Sequence, residues 1–134
     1  MTDSILKVSD VMSTSVHIIE ATATVHDAIG EMQRAGASSL VVNRRDAHDE
    51  YGLVTVTDVA REVIAQNRSA DRVNVYEIMS KPVISVSADM QTKYAIRLLV
   101  RFGVSRTLVI DDARTPVGIV TLRDLVLRHG PDED

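Results

Sequence analysis

Apolar residues follow two alternating patterns in the first half of the chain. Short apolar runs at 16–19, 39–43 and 51–55 have the length and β-branched content of strands. Between the first two runs, apolar residues recur at helical spacing, at Val25, Ala28, Ile29 and Met32. A further helix is expected directly after the third run. This half therefore predicts the element order β-α-β-β-α.

The second half repeats this order. Strand-like runs lie at 83–86, 106–110 and 116–121, and a helical pattern separates the first two. The apolar positions of that helix are Ala95, Ile96, Leu98 and Leu99. A final helix is expected where the third run ends. The chain thus predicts six strands and four helices in two similar halves.

Residues that start and stop helices support these assignments. The first helix of each half is expected to begin after Thr24 and after Asp89. Gly36 and Gly103 stand where these helices should end, because glycine readily adopts the left-handed conformation of a helix C-terminus.

Alignment of the halves shows one unit that occurs twice. VSDVMS at 8–13 aligns with VYEIMS at 75–80, an offset of 67 residues. GLVTVTDV at 52–59 aligns with GIVTLRDL at 118–125, an offset of 66 residues. One residue has therefore been lost from the loop between the last two strands of the second copy.

The duplication divides the chain into a first repeat at 1–66, a polar linker at 67–74 and a second repeat at 75–134. A single repeat of about 60 residues would bury too little apolar surface to be stable alone. The two repeats are therefore expected to pack together about a pseudo-two-fold axis.

Composition restricts the class of protein. The 134 residues are 45% hydrophobic and 25% charged, as in an ordinary folded domain. The net charge of −4, without a cluster of Lys and Arg, argues against binding to nucleic acid. The absence of cysteine excludes disulfides, and the four histidines lack the spacing of metal ligands. No signal peptide and no run of membrane-spanning length is evident, so we expect a cytoplasmic protein without a membrane partner.

The common motifs of catalysis are missing from the chain. It has no P-loop, no H-E-x-x-H, no G-x-S-x-G and no cysteine nucleophile. We therefore expect a protein that is not an enzyme and that needs neither a metal nor a catalytic cofactor.

The duplicated phrase G-h-h-T-x-x-D, where h is apolar, carries the clearest candidate chemistry. An ionised Asp58 or Asp124 could accept hydrogen bonds from both hydroxyls of a cis-diol such as ribose. Thr55 and Thr121 stand where a strand changes into a helix, whose first backbone N–H groups can bind an anion. The phrase therefore suits a ribose and a phosphate.

A structural role explains the same residues equally well. A threonine followed three residues later by an acid is also a helix cap, worth about 1 kcal/mol. Gly52 and Gly118 leave room for the close approach of either another backbone or a ligand. The residues alone leave capping and ligand binding open.

The VxxxMS openings, the strand, helix, glycine and strand order, and above all the duplicated G-h-h-T-x-x-D resemble the tandem CBS (cystathionine-β-synthase-type) domain pair, or Bateman module. The resemblance covers almost the whole chain. It implies a mixed α/β (α+β) fold of two β-α-β-β-α repeats, homodimers, and two clefts between the paired repeats. In many members of that family such clefts bind AMP, ADP, ATP, NAD or S-adenosylmethionine.

The resemblance also implies which residues share each cleft. One cleft would contain Thr55, Thr57, Asp58, Val83, Ile84, Ser105 and Arg106. The other would contain Thr121, Arg123, Asp124, Val16, His17 and Ser38. Each cleft would then hold one arginine able to pair with a phosphate. Because only 3% of the residues are aromatic, an adenine base would rest on aliphatic side chains.

The resulting hypothesis is a regulatory module that binds an adenosine nucleotide and modulates a partner protein not identified by the sequence. One alternative is a ligand-free scaffold for protein interaction or dimerisation, in which the T-x-x-D phrases only cap helices. Another is a nucleic-acid-binding regulator, which the acidic balance disfavours. Alanine at Asp58 and Asp124 separates the first two, since only a ligand-binding role predicts lost binding with the fold retained.

Overall fold

The computed structural model describes residues 5–81 and 83–129. Two compact units make up the chain: one lies within residues 17–83, and the other combines residues up to 16 with those from 84 onward. Each unit contains one three-stranded sheet and two helices of the predicted order. The prediction of an α+β fold built from two β-α-β-β-α repeats is confirmed.

The sheet of the unit at 17–83 consists of β1 (Ile18–Ile19), β2 (Ser39–Val42) and β3 (Gly52–Thr55). Strand β1 pairs parallel with β2, and β2 pairs antiparallel with β3. All three strands lie within the runs predicted from the apolar pattern. A parallel pair needs a helical crossover, which places the first helix between β1 and β2.

Helix α1 (Val25–Ala35) supplies that crossover and begins after Thr24, whose hydroxyl accepts a backbone hydrogen bond. It ends at Gly36 with φ of 64°, the left-handed conformation expected for this residue. Helix α2 (Val56–Val59) follows β3 directly and continues as a π-helical segment over Ala60–Ile64.

Aliphatic side chains of the sheet and both helices form the core of this unit. The buried members are Val25, Ala28, Met32, Leu40, Val42, Val54, Val59, Val63, Val73, Val75 and Ile78. Three of them follow residue 72, in or beyond the segment predicted to be a linker.

The other unit has the same topology. Its sheet contains β4 (Ser85–Ser87), β5 (Arg106–Ile110) and β6 (Pro116–Thr121), with β4 parallel and β6 antiparallel to the central β5. Helix α3 (Thr92–Phe102) connects β4 to β5, and α4 (Leu122–His129) follows β6. The bounds of β5 and β6 are those predicted.

The predicted start of α3 after Asp89 is wrong. The backbone N–H of Asp89 donates to Ser87 Oγ at 3.2 Å, and that of Met90 donates to the Ser87 carbonyl at 3.1 Å. These bonds form a turn, so the helix begins only after Gln91. Its predicted end is confirmed, since Gly103 has φ of 67°.

The two opening phrases, VSDVMS at 8–13 and VYEIMS at 75–80, each pair with an edge strand that belongs to the other repeat. Ser13 and Ile119 of β6 exchange two backbone hydrogen bonds of 2.8 and 2.9 Å, and Ser80 and Leu53 of β3 exchange two of 2.9 and 3.0 Å. The compact units therefore follow a different division from the repeats. The repeat bounds at 1–66, 67–74 and 75–134 stay a prediction about the sequence duplication.

The segment predicted as a linker is packed into the unit at 17–83. Residues Ala70–Arg72 form one 3₁₀ turn, and the next residue, Val73, is buried in the core. The Val73 carbonyl accepts a hydrogen bond of 2.8 Å from the backbone N–H of Val25 at the start of α1. This segment is thus an ordered part of the fold.

Glycine at two strand positions lets the opening phrases lie against the sheets. A Cβ atom on Gly118 would stand 2.6 Å from Met12 Sδ and 2.7 Å from the Ser13 carbonyl oxygen. The corresponding distances at Gly52 are 3.0 Å and 3.1 Å, to Met79 Sδ and the Ser80 carbonyl oxygen. Another backbone therefore occupies the space that these glycines leave open.

Gly118→Ala is expected to lower the free energy of unfolding by about 1–3 kcal/mol, because the Ser13 backbone must move to admit the methyl group. Gly30→Ala is the control: it lies inside α1, and no heavy atom stands within 4 Å of its Cβ position. This control should raise stability by about 0.5–1 kcal/mol. Urea unfolding followed by circular dichroism measures both, and equal effects would contradict the close approach.

A partly buried ion pair links the end of the second opening phrase to the β2–β3 loop. Lys81 follows Ser80, and its Nζ lies 2.7 Å from Oδ2 of Asp49 in the β2–β3 loop. The same oxygen accepts hydrogen bonds from the backbone N–H of Arg45 at 2.8 Å and from its Nε at 3.2 Å. Lys81 first, and then the backbone of Arg45, hold the pKa of Asp49 well below its usual range.

Asp49→Asn is expected to destabilise the protein at neutral pH, and the difference should depend on pH. Because the pKa of Asp49 is lower in the folded state than the unfolded value of about 3.9, the unfolded state takes up the proton first on acidification. The contribution of Asp49 is complete above about pH 5 and is lost as the pH falls below about 4.

Urea unfolding at pH 7, 5 and 3.5 tests this sign. The stability gap between wild type and Asp49→Asn should be equal at the first two values and smaller at the third. Asp112→Asn, in the exposed β5–β6 loop, serves as the control for a general effect of removing one negative charge. A gap that widens on acidification would show that Asp49 does not act as a stabilised anion.

Candidate functional site

The T-x-x-D phrase lies at a strand-to-helix junction in both units. The backbone N–H of Val56 donates to the Ser38 carbonyl at 3.0 Å, and that of Leu122 donates to the Ser105 carbonyl at 2.8 Å. The first residue of each helix is thus tied to the serine near the start of the central strand in the same unit. This tie fixes where each helix begins relative to the central strand.

In the first phrase, the carboxylate of Asp58 folds back onto its own helix start. Its Oδ2 accepts hydrogen bonds from the backbone N–H and the hydroxyl of Thr55, at 2.9 and 3.0 Å. Its Oδ1 pairs with Arg61 Nη2 at 3.0 Å. The Asp58 side chain is 11% exposed, so the capping interpretation describes this copy.

In the second phrase, the carboxylate of Asp124 is turned outward. The Thr121 hydroxyl caps α4 by accepting the backbone N–H of Asp124 at 3.1 Å. Among the described residues, the carboxylate contacts Arg123, whose Nη1 lies 3.5 Å from Oδ1, and the Asp124 side chain is 49% exposed. This copy therefore has a cap in which the aspartate side chain takes no part.

The strand register places Arg106 on β5 directly opposite Thr121 on β6. Ser105 is exposed beside it, and Arg123 is exposed one residue before Asp124. The structure thus brings five of the predicted residues to one junction of one unit. The assignment of Ser105 and Arg106 to the cleft of Asp58 joins residues of different units and stays a prediction.

The other predicted residues lie on backbone segments that flank the first strands. The His17 carbonyl accepts a hydrogen bond of 2.8 Å from the backbone N–H of Val41, and the Thr107 hydroxyl donates to the Ile84 carbonyl. Val16 and Val83 are half-buried beside these two residues. Their shared role with the T-x-x-D phrases stays a prediction, as does that of the exposed Thr57.

Arg61 is a contact residue that the sequence analysis missed. It lies three residues after Asp58, which is the spacing of an ion pair on a helix, and this spacing was the available signal. An apolar groove of about 520 Å³ in the unit at 17–83 was also missed. Residues from both helices line it, including Ile29, Met32, Val56, Val59 and Ile64.

Two kinds of feature, a metal site and a membrane-spanning helix, are absent from the described residues. Within 5–81 and 83–129, no group of three or more His, Asp or Glu side chains is arranged to hold a metal ion. No helix in this part of the chain has the length and apolar character needed to cross a membrane.

Comparison with known proteins agrees with this architecture. MK0525 of Methanopyrus kandleri is 33% identical over 122 residues, which cover 90% of this chain and 61% of that protein. This chain therefore spans less than two thirds of the length of that relative. The hexameric CBS-CP12 protein from bloom-forming cyanobacteria is 32% identical, with a TM-score of 0.89 over 94% of this chain and 69% of that chain.

The CBS domain pair of protein MJ0100, crystallised with 5′-methylthioadenosine and S-adenosyl-L-methionine, is 25% identical. The TM-score is 0.80, over 97% of this chain and all of that chain. The CBS domain model matches residues 8–65 and again residues 75–128, so both halves that share the T-x-x-D phrase are recognised separately. The chain therefore belongs to the CBS domain family and carries two copies of that domain.

Proposed function

We propose that this CBS domain pair is a regulatory module that binds an adenosine-containing ligand and transmits its occupancy to a partner protein. The observation that carries the proposal is the outward carboxylate of Asp124, beside the exposed guanidinium of Arg123. An ionised aspartate can accept both hydroxyl protons of a ribose, and an arginine can pair with a phosphate or another anionic group.

The comparisons support the adenosine class of ligand. The MJ0100 pair was crystallised with two compounds that both contain adenosine. The candidates for this chain are AMP, ADP, ATP, NAD and S-adenosylmethionine, which share the ribose diol and the base. Aliphatic side chains would support the base, since aromatic residues make up 3% of the chain.

Ligand contact at Asp124 would act directly on helix α4. The next residue, Leu125, is fully buried in the core of its unit, together with Ala95 and Leu99 of α3. A ligand that fixes Asp124 therefore restrains a helix packed into that core. Such a ligand favours whichever arrangement of the module improves its contacts, and this differential affinity is the signal a partner can detect.

A regulatory role fits the two aspartates better than a catalytic one. Asp58 accepts hydrogen bonds and an ion pair on both carboxylate oxygens, which leaves it poorly suited to act as a general base. Asp124 lies in the other unit, and its nearby groups suit binding and orientation of a ligand.

Thermal unfolding with millimolar AMP, ADP, ATP, NAD and S-adenosylmethionine, with and without magnesium, tests the ligand. A compound at about 100 times its dissociation constant should stabilise the protein by roughly 2.7 kcal/mol and raise Tm by several degrees. Alanine at the aspartate that binds the ribose should abolish the increase. The 2′-deoxy analogue of the active compound should give a smaller increase, because it lacks one hydroxyl.

This experiment also separates the ligand-binding module from the ligand-free scaffold. If no compound in the panel raises Tm, the scaffold becomes the better description. If a compound raises Tm equally in wild type, Asp58→Ala and Asp124→Ala, the ligand binds elsewhere and the proposed site is refuted.

A second candidate function, assembly of copies of this chain, is favoured by the exposed apolar side chains of α3. Tyr94 and Val100 are both exposed, and both line a shallow cavity of about 470 Å³. Apolar groups grouped in this way commonly mark interaction surfaces. We propose that this face contributes to a homodimer, a role that is compatible with ligand binding.

Val100→Glu is expected to weaken self-association, because the new carboxylate would lose its hydration at a contact between copies. Light scattering over a concentration series should show a shift toward the monomer. Tyr76→Glu is the control, since Tyr76 is also exposed but lies in the other unit, in the 3₁₀ turn Val75–Glu77. An unchanged mass for Val100→Glu at every concentration would remove α3 from the interface.

A further inference from the structure

The two T-x-x-D phrases differ at the third residue after the aspartate. Arg61 occupies this position in the first copy, and Leu127 occupies it in the second, at the same offset of 66 residues that relates Asp58 to Asp124. Arg61 Nη2 lies 3.0 Å from Asp58 Oδ1, whereas the Leu127 side chain is apolar and exposed. In the first copy a cation one turn after the aspartate thus pairs with it at 3.0 Å, whereas in the second copy the cation is the preceding residue, Arg123, at 3.5 Å.

The donors around Asp58 occupy the places that a ribose would need. A diol must offer one hydroxyl to each carboxylate oxygen to bind as a bidentate ligand. Thr55 already donates twice to Oδ2, and Arg61 donates to Oδ1. A ligand at Asp58 would therefore have to displace a Thr55 donor from Oδ2 and share Oδ1 with Arg61.

The carboxylate of Asp124 offers no comparable obstacle. Its Oδ1 lies 3.5 Å from Arg123 Nη1, at the limit of a hydrogen bond, and half of the side chain is exposed. The helix cap of α4 runs from the backbone N–H of Asp124 to the Thr121 hydroxyl, so it survives when the carboxylate takes a ligand. Binding here exchanges water for the diol without breaking the helix start.

We propose that Arg61 disfavours ligand binding at the first phrase, so that the chain binds one adenosine-containing ligand tightly, at Asp124. The residue three positions after the aspartate decides which phrase is open. This inference rests on the proposed function, because it concerns the same phrases and the same class of ligand.

The expected selectivity is of moderate size. The Arg61 side chain is 60% exposed, so solvent screens its ion pair with Asp58 and each such pair contributes little alone. Loss of the cap adds to this effect, since capping interactions of this kind are individually stronger. Together they should favour Asp124 over Asp58 by about tenfold in dissociation constant.

Isothermal titration calorimetry with AMP and with S-adenosylmethionine tests the inference on the full chain. Wild type should bind one tight equivalent per chain, about tenfold tighter than a second equivalent. Asp124→Ala should lose this tight equivalent, and Asp58→Ala should keep it. Arg61→Leu, which copies the second phrase into the first, should bind two tight equivalents. Leu127→Arg, which makes the reverse change, should weaken binding at Asp124 by several-fold, because the new guanidinium competes for the carboxylate.

Arg68→Leu is the matched control for Arg61→Leu. Arg68 pairs with Glu77 at 3.2 Å in the same unit, so its removal also deletes an exposed ion pair but leaves Asp58 untouched. This variant should keep one tight equivalent. Circular dichroism and Tm establish that each variant is folded, and Leu127→Arg tests the inference even if Arg61→Leu does not fold.

The outcomes distinguish the inference from the function on which it rests. Two equivalents of equal affinity in wild type, tight binding retained in Asp124→Ala, a single tight equivalent in folded Arg61→Leu, or unchanged affinity in Leu127→Arg would each overturn the role of Arg61. Any of these leaves adenosine binding intact. Absence of binding by wild type and all variants to AMP, ADP, ATP, NAD and S-adenosylmethionine overturns the proposed function and the inference together.

Discussion

The architecture depends on two short backbone pairings, between Ser13 and Ile119 and between Ser80 and Leu53. Each pairing adds an opening phrase to the free edge of a sheet that has three strands of its own. The edge β3 or β6 would otherwise present unpaired N–H and C=O groups to solvent. Because the phrase comes from the other repeat in both cases, neither repeat completes its sheet with its own residues.

The same phrase adopts two different caps, although both copies place it between a strand and a helix. In the first copy the threonine and the aspartate cap each other, and a cation one turn later holds the aspartate in this position. In the second copy the threonine caps alone. Equal residues at the key positions therefore give unequal sites, because Arg61 pairs with the aspartate in the first copy and Arg123 contacts it in the second.

Much of the fold could be predicted from the sequence, because it follows from local signals. Gly36 and Gly103 end their helices in the left-handed conformation, and β5 and β6 begin and end as the apolar pattern indicates. The start of α3 could not be predicted as well, because Asp89 satisfies both a helix cap and the turn that it forms here. The strand with which each opening phrase pairs is far away in the sequence, and the spacing of apolar residues does not indicate which strand it is. The residues of the candidate site stay a prediction, and the state of each carboxylate depends on side-chain geometry, which a sequence pattern does not report.

The exchange of opening phrases also sets the order in which the two units can fold while the chain is being synthesised. Ser80 pairs with a residue 27 positions earlier, so the unit at 17–83 can close its sheet while the rest of the chain is still being made. Ser13 pairs with a residue 106 positions later, and its unit must wait for nearly the whole chain. Until then the first opening phrase has no sheet to join. The unit that contains β6 is therefore the later of the two to close, although its added edge segment, at Ser13, is made before β1.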